Sequence, residues 1–237
     1  MCILSIVRSA ETIIITSNRD EQRSRKNSQA PEIIDLGKRQ TILARDAQAH
    51  GTWLLTDNSG RTAILLNGAF ESHIPSPPYR ESRGIILMNL FQEDNFRSAF
   101  LFYNFENIEP FQIIYIEKNK ALQCLWDGSE KHLFEIDLST PQVFFSPTLY
   151  SKELQSEKKK HFFETFADHN LFSAPRLFEF HSEQNENSNL NFFMNREQQS
   201  TKSISQIELN NTFSKYVHWQ AWDNQKHELT LEHVVNA

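Results

Sequence analysis

The sequence predicts an α+β fold in which two mainly antiparallel sheets are stacked and helices cover their outer faces. Three observations predict it. Strand-like runs come in clusters and helical patterns in separate blocks, which is not the alternation of a βαβ series. The first two runs, at residues 3–7 and 12–16, are apolar on both faces (Ile3, Leu4, Ile6, Val7, then Ile13, Ile14, Ile15), so their sheet needs cover on both sides. Phe is in excess, with 19 copies against 5 Tyr and 4 Trp, which calls for a thick core between layers or a partly apolar pocket.

The 237 residues are ample for a buried core in one large domain, and no internal repeat breaks the chain. A net charge of -6 gives no reason to expect a nucleic acid partner. No apolar run approaches the roughly 18 residues of a membrane span. The start Met1-Cys2-Ile3-Leu4 lacks a basic lead and breaks at Arg8, so it does not read as a signal peptide. Cys2 and Cys124 are the sole cysteines, which excludes a disulfide scaffold and favours a reducing, cytoplasmic setting.

In chain order, the first two runs flank a polar break at Arg8-Ser9-Ala10-Glu11 and read as a hairpin. Folding about Ala10 sets position 2 opposite 18, or opposite 17. Residues 22–28 are polar and basic, either a solvated connection or a cationic rim for an anionic ligand. Strands are expected at 41–44, 52–56 and 62–66, the last two joined by Asp57-Asn58-Ser59-Gly60. Prolines at 75, 77 and 78 mark a rigid connection. Residues 83–92 carry apolar side chains at 86, 87, 90 and 91, a helical spacing, and Asp94 or Asn95 caps a second helix to about Tyr103.

A meander follows at 113–117, 122–126 and 133–136, with Cys124 inside its middle strand as a small buried hydrophobe. Residues 143–145 form another strand, ended by Pro147. Residues 151–166 form the clearest helix, capped by Ser151, with Lys158-Lys159-Lys160 expected on its solvated side. Pro175 starts a short helix to Phe180. Residues 182–200 read as a polar loop or insertion anchored by Leu190, Phe192, Phe193 and Met194, and strands at 204–209, 213–218 and 229–234 close the chain.

Most motif chemistry is absent. The nine His form no His-Glu-x-x-His pattern, six Gly include no phosphate loop, and no Gly-x-Ser-x-Gly elbow occurs, so no metal is expected. What remains is the N-terminal hairpin. It gathers a thiol at Cys2 with the run Asn18-Arg19-Asp20-Glu21. A thiol becomes a useful nucleophile when a base or cation lowers its pKa. Removal of Met1 would free the Cys2 α-amine, a base with an ordinary pKa of about 7.7–8.0. Asp20 is placed to orient that amine, and Arg19 to stabilise a thiolate or hold an anionic substrate. The plainer reading makes Cys2 a buried strand start and Arg19 a structural ion pair with Asp20 or Glu21.

Met1-Cys2, Asn18-Arg19-Asp20-Glu21, Gly51-Thr52-Trp53-Leu54, Asn67 after a strand, and Ser82-Arg83-Gly84 together resemble the NRDE family, whose animal member is transport and Golgi organisation protein two. The likeness is dense over the first 90 residues and looser beyond, at Ser146-Pro147-Thr148-Leu149-Tyr150 and from Lys202 onward. It implies an N-terminal-nucleophile hydrolase-like fold, a four-layer αββα sandwich over 1–237, similar in outline to bile salt hydrolases and penicillin V acylases. Carried over, Cys2 is nucleophile and base, Arg19 and Asp20 are its partners, Asn67 donates to the oxyanion, and Asn18 is a second candidate donor. One departure stands out. Where many relatives carry Ser-Asn, this chain has Ser146-Pro147, and proline offers neither an amide side chain nor an N–H.

Two functions follow from the resemblance. One is an amidohydrolase or acyltransferase that uses Cys2 on a small amide or acylated metabolite, without a cofactor. The other is a non-catalytic protein that binds and traffics haem, a lipid or acyl-CoA as apolar cargo. The Phe excess is the only support for the second within the sequence.

Overall fold

The structure is a computed structural model and describes residues 3–118, 120–184 and 189–234. Its architecture is two stacked antiparallel sheets between two helical layers, the α+β sandwich expected. The first sheet has six strands in the order β10-β1-β2-β11-β12-β13: β1 Ile3–Ser9, β2 Thr12–Gln22, β10 Gln142–Phe145, β11 Gln199–Leu209, β12 Phe213–Gln220 and β13 Lys226–Glu232. The second runs in chain order through β3 Glu32–Leu36, β4 Arg39–Leu43, β5 Leu54–Asp57, β6 Arg61–Asn67, β7 Phe111–Glu117, β8 Lys120–Trp126 and β9 Lys131–Ile136.

The opening hairpin is central to the first sheet because both its strands are paired on their outer sides, β1 by β10 and β2 by β11. Its turn is tighter than the four-residue break suggests. Ser9 pairs with Thr12, leaving Ala10 and Glu11 as a two-residue loop with Ala10 at a φ of 51°, the conformation such hairpins require. The register is therefore shifted from the expected one: Asn18 lies opposite Ile3 and Ser17 opposite Leu4. Position 2, which the expectation set against 18 or 17, lies outside the described residues. The second strand is also longer than its apolar run, because β11 pairs with it from Ile13 to Gln22 and draws the Asn-Arg-Asp-Glu run into the sheet.

The helices sit where the apolar spacing puts them. Helix α1 (Arg83–Phe91), capped by Ser82, and α2 (Phe96–Phe102), capped by Asn95, cover the seven-stranded sheet with Ile86, Leu87, Leu90, Phe91, Phe96 and Phe100 turned inward. Helices α3 (Lys152–Thr165) and α4 (Ala174–Ser182), capped by Ser151 and Ser173, cover the six-stranded sheet, and α4 packs on β2 and β11. The Lys158 expectation fails here: its side chain is buried on the inner side of α3 with Phe162. The polar connection between α4 and β11 is held by buried Asn191, Phe192, Phe193 and Met194, and its residues 185–188 lie outside the described ones. No helix is long and apolar enough to cross a membrane among the described residues.

The Phe excess has a definite destination. Twelve of the 19 are buried. One group (Phe145, Phe162, Phe166, Phe180, Phe192) makes a network of edge and tilted ring contacts between the first sheet and its helices. A second (Phe91, Phe96, Phe100, Phe105, Phe111) joins Tyr115 and Trp126 between the other sheet and its helices through edge, tilted and stacked contacts. The rings fill the two helix–sheet interfaces, where their area gives the largest apolar gain.

Two glycines fix how α1 meets the sheet. A Cβ on Gly51 would lie 2.5 Å from the Gly84 carbonyl carbon, and one on Gly84 would lie 2.8 Å from the Thr52 oxygen. The backbone before β5 and the start of α1 are thus in direct contact, which only glycine at both positions allows. Gly51→Ala is expected to cost about 1–3 kcal/mol through forced separation of these segments, read as a lower urea midpoint at unchanged slope.

Candidate active site

The site lies at the end of the β1–β2 hairpin, where the inner face of the first sheet turns from apolar to polar. Cross-strand rows show the change. Ile6, Ile15, Ile207 and Tyr216 align across four strands, the next row holds Leu4, Ser17, Ser205 and His218, and beyond it Arg19 aligns with Ser203 and Gln220. Alternation along β2 then divides the Asn-Arg-Asp-Glu run between faces. Arg19 and Glu21 line the pocket between the sheets, while Asn18 and Asp20 bond to the helical layer and its connections.

Arg19 is the centre of the inner face. Its side chain is 1% exposed, its Nη2 donates to Asp46 Oδ2 at 2.5 Å, and its guanidinium carbon sits 5.0 Å from the Trp53 ring centroid. Glu21 lies farther off, at 4.0 Å. The short ion pair is therefore with Asp46, and Glu21 makes the second, longer one that the plainer reading allows. Asp46 also accepts two bonds from Arg25 and the backbone N–H groups of Gln48 and Ala49. Burial would raise the Asp46 carboxyl, but the Ala49 N–H, the Arg19 charge, the Arg25 bond and the Gln48 N–H outweigh it and hold it below the usual carboxylate range. This arrangement leaves Arg19 Nη1 buried with no hydrogen-bond partner among the described residues, and Trp53 Nε1 and Ser203 Oγ likewise.

A pocket of about 110 Å3 opens against Arg19, between the loop that carries Asp46 and the Gly51–Gly84 contact. Asn67, the last residue of β6, lines it, and its backbone N–H donates to Ser146 Oγ at 3.0 Å. Its side-chain amide is uncommitted to any hydrogen bond among the described residues. Of the basic 22–28 run, Arg25 lines the same pocket with its guanidinium paired to Asp46, while Arg23 is bonded to Asn195 and to the carbonyls of Arg196 and Glu197. Pro147 packs on Gly68, whose Cβ would come within 3.0 Å of the proline ring. Its ring fills space beside the end of β6 where the resemblance calls for an asparagine.

On the outer face, Asn18 has no donor to offer an oxyanion. Its Nδ2 donates to the carbonyls of His181 and Phe192, each at 3.0 Å, and its Oδ1 meets His181 Nδ1 at 2.7 Å. His181 is completed by Ser5 Oγ at 2.8 Å, and burial drives its imidazole down to about 3, so it stays neutral. Asp20 is held on both oxygens, by the Tyr150 hydroxyl at 2.9 Å and the Thr201 hydroxyl at 2.5 Å. Cys2 lies outside the described residues. Cys124 lies within β8, buried, with its thiol pushed up to about 12, as a core hydrophobe should be.

Asp46, Tyr150 and Thr201 were not singled out for chemistry in the sequence. A lone Asp in Arg45-Asp46-Ala47 follows no spacing rule, and of the three only Tyr150 falls within a stretch that carries the resemblance. No group of three or more His, Cys, Asp or Glu is placed to hold a metal ion among the described residues. Asp46→Ala is expected to destabilise the fold by about 3 kcal/mol, since it leaves buried Arg19 without its short ion pair. Because the folded Asp46 binds its proton less tightly than the unfolded chain does, its contribution is present above the ordinary carboxylate pKa and lost as pH falls. Urea titrations below about pH 4 should therefore show the gap between wild type and variant narrowing.

Comparisons with known proteins bear on the fold and the family. A C. elegans N-acylethanolamine-hydrolyzing acid amidase ortholog superposes with a TM-score of 0.61 at 11% identity, covering 87% of this chain and 92% of its own. Two variant structures of conjugated bile acid hydrolase from Clostridium perfringens superpose with TM-scores of 0.60 and 0.55 at 10% and 9% identity, covering 100% and 99% of this chain and 97% of theirs. At such identities the likeness establishes the fold, which is N-terminal-nucleophile hydrolase-like. No curated protein matches the sequence. The sequence model described as Transport and Golgi organisation 2 matches residues 1–217, and the chain belongs to that family.

Proposed function

We propose that the protein is a Cys2-dependent amidohydrolase or acyltransferase acting on a small amide or acylated metabolite. The observation that carries this reading is the pocket at the hairpin end, where the unpartnered Nη1 of buried Arg19 and the uncommitted amide of Asn67 line one small cavity. Ile3, one residue after Cys2, pairs with Asn18, the neighbour of Arg19. Proteins of the same fold that bear amidase and hydrolase names lend further support.

In the proposed reaction Met1 has been removed and the Cys2 α-amine accepts the thiol proton. The thiolate sulfur attacks the amide carbonyl carbon, and the carbonyl electrons move to oxygen, where the Asn67 amide donates to the developing charge. The C–N bond then breaks, and the leaving amine takes the proton from the α-ammonium, which leaves a thioester on Cys2. Water attacks the thioester, passing its proton to the α-amine and then to the sulfur. The net change is amide plus water to acid plus amine; an acceptor amine in place of water makes the same cycle an acyl transfer. The Arg19 charge favours the thiolate, and Asp20 orients the α-ammonium.

The Phe excess does not favour the cargo-binding alternative, because the buried rings named above pack into the two helix–sheet interfaces. The test is intact-mass measurement of protein purified from cells, followed by labelling with a thiol-reactive acyl probe. The expected result is loss of Met1 and one acyl adduct on Cys2, absent in Cys2→Ala. Asn67→Ala should slow adduct formation by about 10²-fold, the scale of one lost oxyanion donor. Retained Met1 with an inert Cys2 would overturn the reading, and saturable titration by haem or acyl-CoA in the same preparation would support the cargo role instead.

A further inference from the structure

Lys158 belongs to the run Lys158-Lys159-Lys160 in the middle of α3, yet it alone of the three is buried, at 2% exposure. Its ammonium donates to the Asn191 carbonyl and lies 5.5 Å from the Tyr150 ring centroid. No carboxylate comes within 4 Å of it among the described residues. An ammonium in such a place is costly, and a leucine would pack with Phe162 at far lower cost, so retaining the charge calls for a purpose. Tyr150 supplies one. Its ring takes the ammonium and its hydroxyl donates to Asp20 Oδ2 at 2.9 Å.

We propose that Lys158 is a positioning residue of the candidate active site, fixing Tyr150 by a cation–π contact so that the Tyr150 hydroxyl holds the Asp20 carboxylate in its working orientation. This rests on the Cys2 reading above. The chain of contact runs Lys158 ammonium, Tyr150 ring, Tyr150 hydroxyl, Asp20 carboxylate, and it joins α3 to β2 without passing through the pocket. The charged groups facing Lys158 are Asp20 from β2, which favours its ammonium, and Arg196 from the connection into β11, which opposes it from 5.5 Å off the same tyrosine ring. Burial outweighs Asp20, and the amine is brought down to about 8. Because the unfolded chain binds this proton more tightly, Lys158 lowers stability at neutral pH, and the loss is recovered as pH rises from about 8 toward the ordinary lysine value.

The experiment measures the rate of Cys2 alkylation by iodoacetamide as a function of pH in wild type, Lys158→Met, Lys158→Arg and Tyr150→Phe. Cys124 does not compete, since it is buried with a thiol at about 12. Lys158→Met and Tyr150→Phe should each slow alkylation at neutral pH by about tenfold, equivalent to one pKa unit on the thiol. Lys158→Arg, which keeps the cation, should stay within about twofold of wild type. Where Lys158→Met does not fold, Lys158→Gln, which removes the charge but keeps a donor for the Asn191 carbonyl, is read in its place, and Tyr150→Phe, which keeps the ring and its packing, tests the hydroxyl link to Asp20. A wild-type profile in folded Tyr150→Phe, or equal impairment in Lys158→Arg and Lys158→Met, would overturn the positioning role while leaving Cys2 catalysis intact. A Cys2 unreactive in wild type at every pH would overturn both.

Discussion

The arrangement of the candidate site depends on one charge placed between two sheets. Arg19 enters from the first sheet, and its guanidinium is tolerated there because Asp46, from the second, meets it at 2.5 Å. Asp46 can serve because its own position is over-determined by Arg25 and two backbone N–H groups. The loop carrying Asp46 leads directly into Gly51-Thr52-Trp53, and the Trp53 ring lies beneath the guanidinium. One ion pair therefore registers the sheets against each other and shapes the pocket wall. It also engages Nη2 of the guanidinium and leaves Nη1 with no hydrogen-bond partner among the described residues.

A single strand, β2, serves two layers at once. Asn18 and Asp20 project toward α3, α4 and the segment after them, while Arg19 and Glu21 project between the sheets. Of the outward pair, Asn18 is the anchor. Asn18 closes a fully satisfied group with His181 and Ser5, a buried polar cluster of the kind that fixes one packing arrangement without a net charge. The inward pair face the pocket. Four consecutive polar residues in a buried strand would be a liability without partners; here alternation gives each face its own set.

Much of this was legible in the sequence, for physical reasons that can be named. The layered sandwich followed from an opening hairpin apolar on both faces, and the helices from 3.6-residue spacing closed by Ser82, Asn95 and Ser151 as caps. The Arg19 pocket was legible through grouped motifs rather than any single residue. Register was less so: a polar break of four residues allows several turn centres, and only pairing with β10 and β11 selects one. Lys158 misled because a lysine triplet is ordinarily a solvated face, and nothing local reveals that Tyr150 and Asn191 wait on its inner side. Asp46 was invisible because its partners lie 21 and 27 positions away.

The contact between Gly51 and Gly84 bears on what kinds of molecule this scaffold can be adapted to. Those two glycines bring a loop of one sheet and the first turn of a helix together along the pocket rim, with no side chain between them to trim or rotate. A wider mouth cannot be made there by exchanging one residue for a smaller one, because nothing smaller exists. A wider pocket on this fold would have to come from its side-chain walls, such as Glu21 and Arg25, rather than from this backbone contact.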